Sequence, residues 1–253
     1  MNRKPLMSKT QNICLIILCL LFILLTVVMI KELLEKRKSK EPSYNSLDTT
    51  SEVVTNAISN WQFDLCGEMA EFVKKIYNGN FNPKSMSTTE QLYMVLIDPK
   101  IKKITLKEIN AKLNSMMVSN TLTSENIIEI IDKNIFKNSF DLKYTNETLS
   151  INKISSSICN SKEQILININ KAEENGKYLN IYINIAYGIE SVNDENNEVV
   201  DYYKDIEAKN MVERLSKNNN NIPSWEEYNI FKYKFLIEDN NYKLESVTLE
   251  NNT

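Results

Sequence analysis

The chain has 253 residues, a quarter of them charged, and a formal net charge of −3 at pH 7. It contains no histidine, which excludes Ser-His-Asp and Cys-His catalysis and any histidine metal ligand. Only four glycines are present, and neither a GxxxxGKS/T nor a GxGxxG phosphate-binding motif occurs. The pI is near 5.4 and no basic cluster lies beyond residue 40, so we expect no nucleic-acid partner.

The first predicted element is a transmembrane helix over residues 12–30, which follows a short leader of residues 1–11. Thr26 is the one clearly polar residue in 13–30, and this run would span roughly 27 Å as a helix, close to the hydrocarbon thickness of a bilayer. The alternative is a cleaved signal peptide, but no small-x-small cleavage site follows the run. We therefore expect a single-pass cell-membrane protein that contacts the lipid bilayer through residues 12–30.

The side of the membrane on which the rest of the chain lies follows from two opposed arguments. The segment after the predicted helix contains one more positive charge than the leader before it. This small excess favours a cytoplasmic location for the C-terminal side. A large domain that follows an N-terminal span is usually translocated, and on this ground we expect the domain to be extracytoplasmic. Residues 31–48 are predicted to be a basic juxtamembrane segment and a linker.

The remaining residues, 49–253, are predicted to form a single α+β domain whose helical part is 50–137. In residues 50–77, where Gly67 can soften or break a helix, the apolar side chains recur at spacings of three and four, which is typical of one helix. These are Val54, Ala57, Ile58, Trp61, Leu65, Met69, Val73 and Ile76.

Three further helices are predicted in the helical part. Ser87 with Glu90 and Thr105 with Glu108 have the spacing of capping boxes, and each pair precedes an apolar run. Residues 123–136 contain a third run with helical periodicity. About four helices are therefore expected before the sheet.

From residue 140 to residue 250 the apolar periodicity is two, which predicts antiparallel strands. Asn175-Gly176 lies between two alternating runs and predicts a type I′ hairpin. Residues 239–241 predict a second hairpin, and the change of parity after Leu244 predicts a β-bulge that curls the sheet. Residues 199–216 fit a strand and a helix equally well. The expected fold is therefore α+β: an N-terminal transmembrane helix, then about four helices packed on a curved antiparallel sheet built of hairpins.

Two kinds of candidate site follow from residue type. Cys66 and Cys159 are the cysteines outside the predicted span, and they can form one disulfide or remain two buried thiols. The aromatic residues of the last third can line a ligand pocket on a curved sheet, or they can pack in the core. The predicted pocket-lining residues are Tyr182, Trp225, Phe231, Tyr233 and Phe235.

The acidic residues give no metal or catalytic site. Asp194, Asn196, Glu198 and Asp205 have spacings that faintly resemble a calcium loop, but Val199 stands where such a loop needs glycine, so we interpret the segment as a solvated loop. No pair of carboxylates is distinguished from the others as an acid–base pair. We therefore assign no catalytic, metal-binding or cofactor-binding residue, expect no cofactor, and do not expect an enzyme.

The order of apolar run, helices and hairpins resembles that of bacterial single-pass membrane proteins that carry an NTF2-like or cystatin-like domain outside the membrane. The resemblance depends on residues 13–30, the helices up to Asn134 and the two predicted hairpins. It implies a scaffold or binding role, in some of those proteins within a secretion or conjugation assembly, and it implies no site residues.

The expected function is accordingly that of a membrane-anchored extracytoplasmic interaction or scaffold domain, with another envelope protein as its partner. One alternative is a membrane-tethered sensor that binds a small molecule or a peptide in an aromatic pocket. The other is a component of a secretion- or conjugation-type envelope assembly.

Overall fold

The computed structural model describes residues 22–23, 25–31, 43–63, 69–154, 162–193, 195, 197–217 and 223–250. Contacts divide the chain into two compact units, residues 1–43 and residues 44–253.

In the first unit, the described helical residues are 22–23 and 25–31. Among the residues that the structure describes, no helix is both long and apolar enough to cross a membrane. The transmembrane helix predicted over residues 12–30 is therefore wrong, because apolar composition was taken as sufficient for a full span. The rest of that stretch, residues 12–21 and 24, lies outside the described residues.

The predicted location in the cell membrane was inferred from that helix alone. A single-pass protein of the cell membrane needs a spanning helix, and the described part of the chain contains none. The prediction of a membrane-anchored, extracytoplasmic domain is therefore wrong as a statement of location.

The second unit contains five α-helices in its described residues, where about four were predicted. They are α1 (Glu52–Ser59), α2 (Ala70–Tyr77), α3 (Thr88–Leu96), α4 (Leu106–Met116) and α5 (Ser124–Asp132). The helical segment predicted over residues 50–77, with a possible break at Gly67, contains two helices, α1 and α2, and Gly67 itself lies outside the described residues. The first of them ends at Ser59, and two residues later Trp61 is 1% exposed and packs edge-to-face on Phe63 and against Phe81. Burying this large side chain outweighs one more helical turn.

Both predicted capping boxes are confirmed. At the start of α3, the Ser87 hydroxyl accepts from the Glu90 amide at 3.2 Å, and the Glu90 carboxylate accepts from the Ser87 amide at 2.7 Å. Thr105 and Glu108 repeat the arrangement at α4 with distances of 3.2 and 2.8 Å. These short-range signals were sufficient because they involve only four consecutive residues.

Glu90 also ties α3 to α2. Its carboxylate accepts from the Lys75 ammonium group at 2.6 Å, and the glutamate is 8% exposed. Burial raises the pKa of Glu90, but the hydrogen bonds from Lys75 and Ser87 outweigh burial, so the pKa of this carboxyl is lowered overall. The ionised form therefore stabilises the junction of the two helices.

We expect Glu90→Gln to lower the free energy of unfolding at neutral pH by about 1–2 kcal/mol, because the cap and the bond to Lys75 are both weakened. Since the pKa of Glu90 in the folded protein lies below its ordinary value of 4.5, its contribution is full above that pH and is lost as the pH falls through the folded-state pKa. Urea unfolding of both proteins between neutral pH and about pH 3 measures this. A difference in stability that does not shrink on acidification would contradict the assignment.

Eleven strands are described, and every pairing between them is antiparallel. They are β1 (Asn45–Leu47), β2 (Asn80–Phe81), β3 (Lys103–Thr105), β4 (Phe140–Thr145), β5 (Thr148–Lys153), β6 (Glu163–Glu174), β7 (Tyr178–Val192), β8 (Glu198–Tyr203), β9 (Met211–Ser216), β10 (Ile230–Glu238) and β11 (Asn241–Glu250). The large sheet has the order β1-β6-β7-β10-β11-β2, and β8 and then β9 extend it from the C-terminal part of β7. A small sheet has the order β3-β5-β4.

The predicted hairpins form, with one difference in turn type. Between β6 and β7 only Gly176 has a positive φ, 79°, and the Asn175 amide donates to the Tyr178 carbonyl at 3.1 Å, which is the pattern of a type II′ turn rather than type I′. Between β10 and β11, Asp239 and Asn240 both have positive φ, as a type I′ turn requires. The predicted bulge is confirmed at Glu245, where the pairing with β10 shifts between Lys234 and Phe235.

The undecided segment 199–216 is now resolved as strand. It contains most of β8 and all of β9, joined by a loop in which Ala208 has a φ of 54°. The apolar residues that matched a helical spacing lie partly in the two strands and partly in the loop between them. Their spacing therefore does not reflect a helix.

One face of the large sheet packs on the helices and forms the main core. In β7 the inward residues Leu179, Ile181, Ile183 and Ile185 are buried, as the alternation predicted. A second, smaller apolar cluster lies on the opposite face of the sheet; its buried members are Ala186, Val200, Tyr202 and Tyr228. The α+β class is therefore confirmed, with the sheet as the larger component, whereas the predicted transmembrane helix is not found among the described residues.

Candidate interaction surface

Three of the five predicted pocket residues lie in the main core. Phe231, Tyr233 and Phe235 alternate along β10 and are 4%, 1% and 0% exposed. Burial raises the pKa of Tyr233 well above its ordinary value, as expected for a phenol surrounded by apolar side chains. These aromatic rings fill the space between the sheet and the helices.

The other two predicted pocket residues lie on the opposite face of the sheet. The Tyr182 hydroxyl donates to the Glu173 carboxylate at 2.8 Å, and the ammonium groups of Lys171 and Lys232 lie 5.1 and 5.6 Å from the centre of its ring. Trp225 packs on Tyr228, with their ring centres 5.7 Å apart. The structure therefore does not bring the five residues together.

Two surface cavities in the described part of the chain are also lined by other residues. The larger, about 270 Å³, lies between the end of α5 and β4, beside Ile130, Phe136 and Phe140. The smaller, about 80 Å³, lies beside Glu190 and Lys217. The aromatic pocket stays a prediction without support from these two cavities.

The remaining predicted site residues are only partly described. Cys66, Cys159, Asp194 and Asn196 lie outside the described residues. The Asp205 carboxylate accepts from the backbone amides of Lys209 and Asn210, so it shapes its own loop. Among the described residues, no group of three or more His, Cys, Asp or Glu side chains is arranged to hold a metal ion.

The outer face of the large sheet around Tyr178 and Tyr182 is a second possible surface for binding. Two of its lysines are in ion pairs: Lys171 with Glu173, and Lys234 with Glu245. Asn180, between the two tyrosines in β7, has no hydrogen-bond partner of normal geometry, although it lies beside Glu173 and helps to lower the pKa of that carboxyl. Asn180 is only 1% exposed, so a ligand on this face would not reach it. We interpret this face as a solvated, internally paired surface.

The strongest candidate surface is the outer edge of β6. This strand pairs with β7 along its length, but on its other side β1 pairs only with residues 172–174. Among the described residues, 163–169 have no strand on that side. Each of these seven residues is half-buried, whereas residues 179–188 of β7 are all buried apart from Tyr182. The term open edge is used below for residues 163–169 of β6.

The chain before α1 explains where the open edge begins. The three residues of β1 pair with Ala172, Glu173 and Glu174, and the backbone then turns away because the Asp48 carboxylate accepts from the Thr50 amide at 2.8 Å. This turn leads directly into α1, so the chain cannot continue along β6. Seven residues of β6 extend past the turn, a length of roughly 23 Å.

The composition of the open edge is unusual for an uncovered strand. Its sequence is EQILINI, with no charge after Glu163 and no proline. Natural sheets usually protect edges with charged residues, proline, short strands or a covering segment. A largely apolar edge of this length, charged only at Glu163, is therefore suited to pairing with another strand.

The other outer strands of the described sheets are protected. The β11 edge is covered by β2, by the Gly79 carbonyl, which accepts from the Leu249 amide, and by residues 117–118. The outer strand β9 contains Glu213 and Arg214, and β4 contains Asp141 and Lys143. The open edge differs from β4 and β9 in having no charged residue after Glu163, and from β11 in having no described segment along it.

Comparisons of the chain with protein-family models, curated proteins and solved structures found no match. They therefore give no support to the resemblance to NTF2-like or cystatin-like domains.

Proposed function

We propose that residues 44–250 form a protein-interaction domain that binds an extended segment of a partner by strand addition to the open edge. The observation that supports this proposal is the seven-residue stretch of β6 that no other described strand covers and that is largely apolar, with Glu163 as its one charged residue. In strand addition the main chain supplies the hydrogen bonds, and alternating side chains supply selectivity.

The side chains of the open edge define what such a segment should contain. Ile165, Ile167 and Ile169 pack at the margin of the main core, and Leu166 packs at the margin of the second cluster. An added strand with apolar residues on both of its faces would cover these half-exposed side chains. Each new backbone hydrogen bond contributes about 0.5–1.5 kcal/mol, and apolar burial adds about 25 cal/mol per Å².

A direct test uses a synthetic peptide of sequence EQILINI with lysines added at its ends for solubility. We expect the fluorescently labelled peptide to bind the full chain saturably, as measured by fluorescence anisotropy. Two control peptides carry N-methyl groups on either the odd or the even amides. Since alternate amides of a strand face the same neighbour, we expect one methylated peptide to lose binding and the other to retain it.

The two methylated peptides distinguish strand addition, which needs backbone hydrogen bonds, from nonspecific hydrophobic binding. Equal binding of all three peptides would show that hydrophobicity alone is responsible and would contradict the proposal. Absence of binding by all three would contradict it as well.

A further inference from the structure

The open edge is complementary to itself. Its central residues are Gln164-Ile165-Leu166-Ile167-Asn168, so an amide side chain stands at each end and three aliphatic residues lie between them. Reversed in direction, this pentapeptide has the same chemical pattern. In an antiparallel pair about a two-fold axis, residue i of one copy meets residue j of the other and j meets i, so this pattern places chemically similar side chains opposite one another.

This inference rests on the proposed strand addition, and it names the partner. We propose that the open edges of two copies of this chain pair antiparallel about a two-fold axis at Leu166. Leu166 of each copy then faces Leu166 of the other, Ile165 faces Ile167, and Gln164 faces Asn168. The amides can bond to each other, and the aliphatic side chains cover one another on both faces of the joined sheet.

The length of the edge fits this register. With Leu166 at the axis, Glu163 of one copy lies opposite Ile169 of the other, so the paired segment is the seven-residue open edge. The next residues of β6 toward its C-terminus are Asn170, which forms a bulge against β7, and Lys171, and β1 then covers Ala172. The two large sheets would form one continuous antiparallel sheet that leaves no open edge on either copy.

Site-specific cross-linking of the full chain tests the register. Directly opposed residues in an antiparallel pair have Cα atoms about 4.5–5.5 Å apart, within the range of a disulfide. We expect Leu166→Cys to form a 166–166 disulfide on mild oxidation, identified by mass spectrometry of the linked peptides so that the four native cysteines can stay. Thr248→Cys, exposed on β11, is the matched control and is expected to give no such dimer.

Two variants of opposite charge at Leu166 test the pairing in a way that misfolding of either variant cannot imitate. Leu166→Lys and Leu166→Glu each place like charges opposite one another, so we expect each variant alone to sediment as a monomer and an equal mixture to restore the dimer. A wild-type chain that is monomeric at every concentration would overturn the self-pairing, as would a mixture that stays monomeric. If the EQILINI peptide still binds in either case, strand addition stands and the partner is a different protein.

Discussion

Gly79→Ala is expected to destabilise the protein by about 2–5 kcal/mol. Gly79 has a φ of 73°, which costs an alanine about 1–2 kcal/mol. A Cβ atom at this position would also lie 2.8 Å from the Phe231 ring and 2.9 Å from Cβ of Leu249. Relieving that overlap costs about 1–3 kcal/mol and would separate β2 from β11, which the Gly79 carbonyl joins through the Leu249 amide.

Gly176→Ala is the matched control for this substitution. Gly176 has a similar φ of 79°, but no atom lies within 4 Å of the position that a Cβ would occupy. We expect it to show only the conformational cost, about 1–2 kcal/mol in urea unfolding. Equal losses for the two variants would show that close packing at Gly79 is unimportant.

Phe235→Ala is expected to lower the free energy of unfolding by about 3–5 kcal/mol, because a fully buried aromatic side chain is removed from the main core. Tyr182→Ala removes a half-exposed ring from the outer face and should cost about 1 kcal/mol or less. The two residues were grouped by sequence as pocket-lining, and the structure assigns them opposite environments. Chemical denaturation of both variants measures the difference.

The magnitude of the Phe235 effect also bears on the aromatic pocket. A residue that lines an empty binding site can be truncated at little cost, whereas a residue in a filled core cannot. A loss below about 1 kcal/mol for Phe235→Ala would contradict the core assignment.

Features of the fold set by a few neighbouring residues were predictable from sequence. The capping boxes at Ser87 and Thr105, the hairpin turns and the bulge after Leu244 each depend on short-range chemistry. The apolar alternation of β7 likewise specified which of its residues enter the core, whereas the aromatic residues of β10 fitted a pocket as well as a core. Local propensity and tertiary packing agree at these positions, which is why the predictions held.

Features that depend on distant contacts were not predictable. The break after α1 follows from burial of Trp61 against Phe81, which belongs to a strand twenty residues later. Apolar composition in residues 12–30 led to a transmembrane helix that the described residues do not contain.

The open edge was missed for the same reason. The alternation of EQILINI predicts a strand, but no described strand covers its outer side, because β1, more than a hundred residues earlier, pairs with only three residues of β6. The sequence of β6 alone does not indicate how many of its residues pair with β1.

Amide hydrogen exchange across β6 tests the open edge most directly. In the diluted, unpaired chain, alternate amides of residues 163–169 should exchange rapidly, since they point away from β7, while the intervening amides stay protected. At concentrations that favour pairing, or with the EQILINI peptide present, all seven amides should become slow. If all seven are slow at every dilution without peptide, another part of the same chain covers the edge, and the account is contradicted.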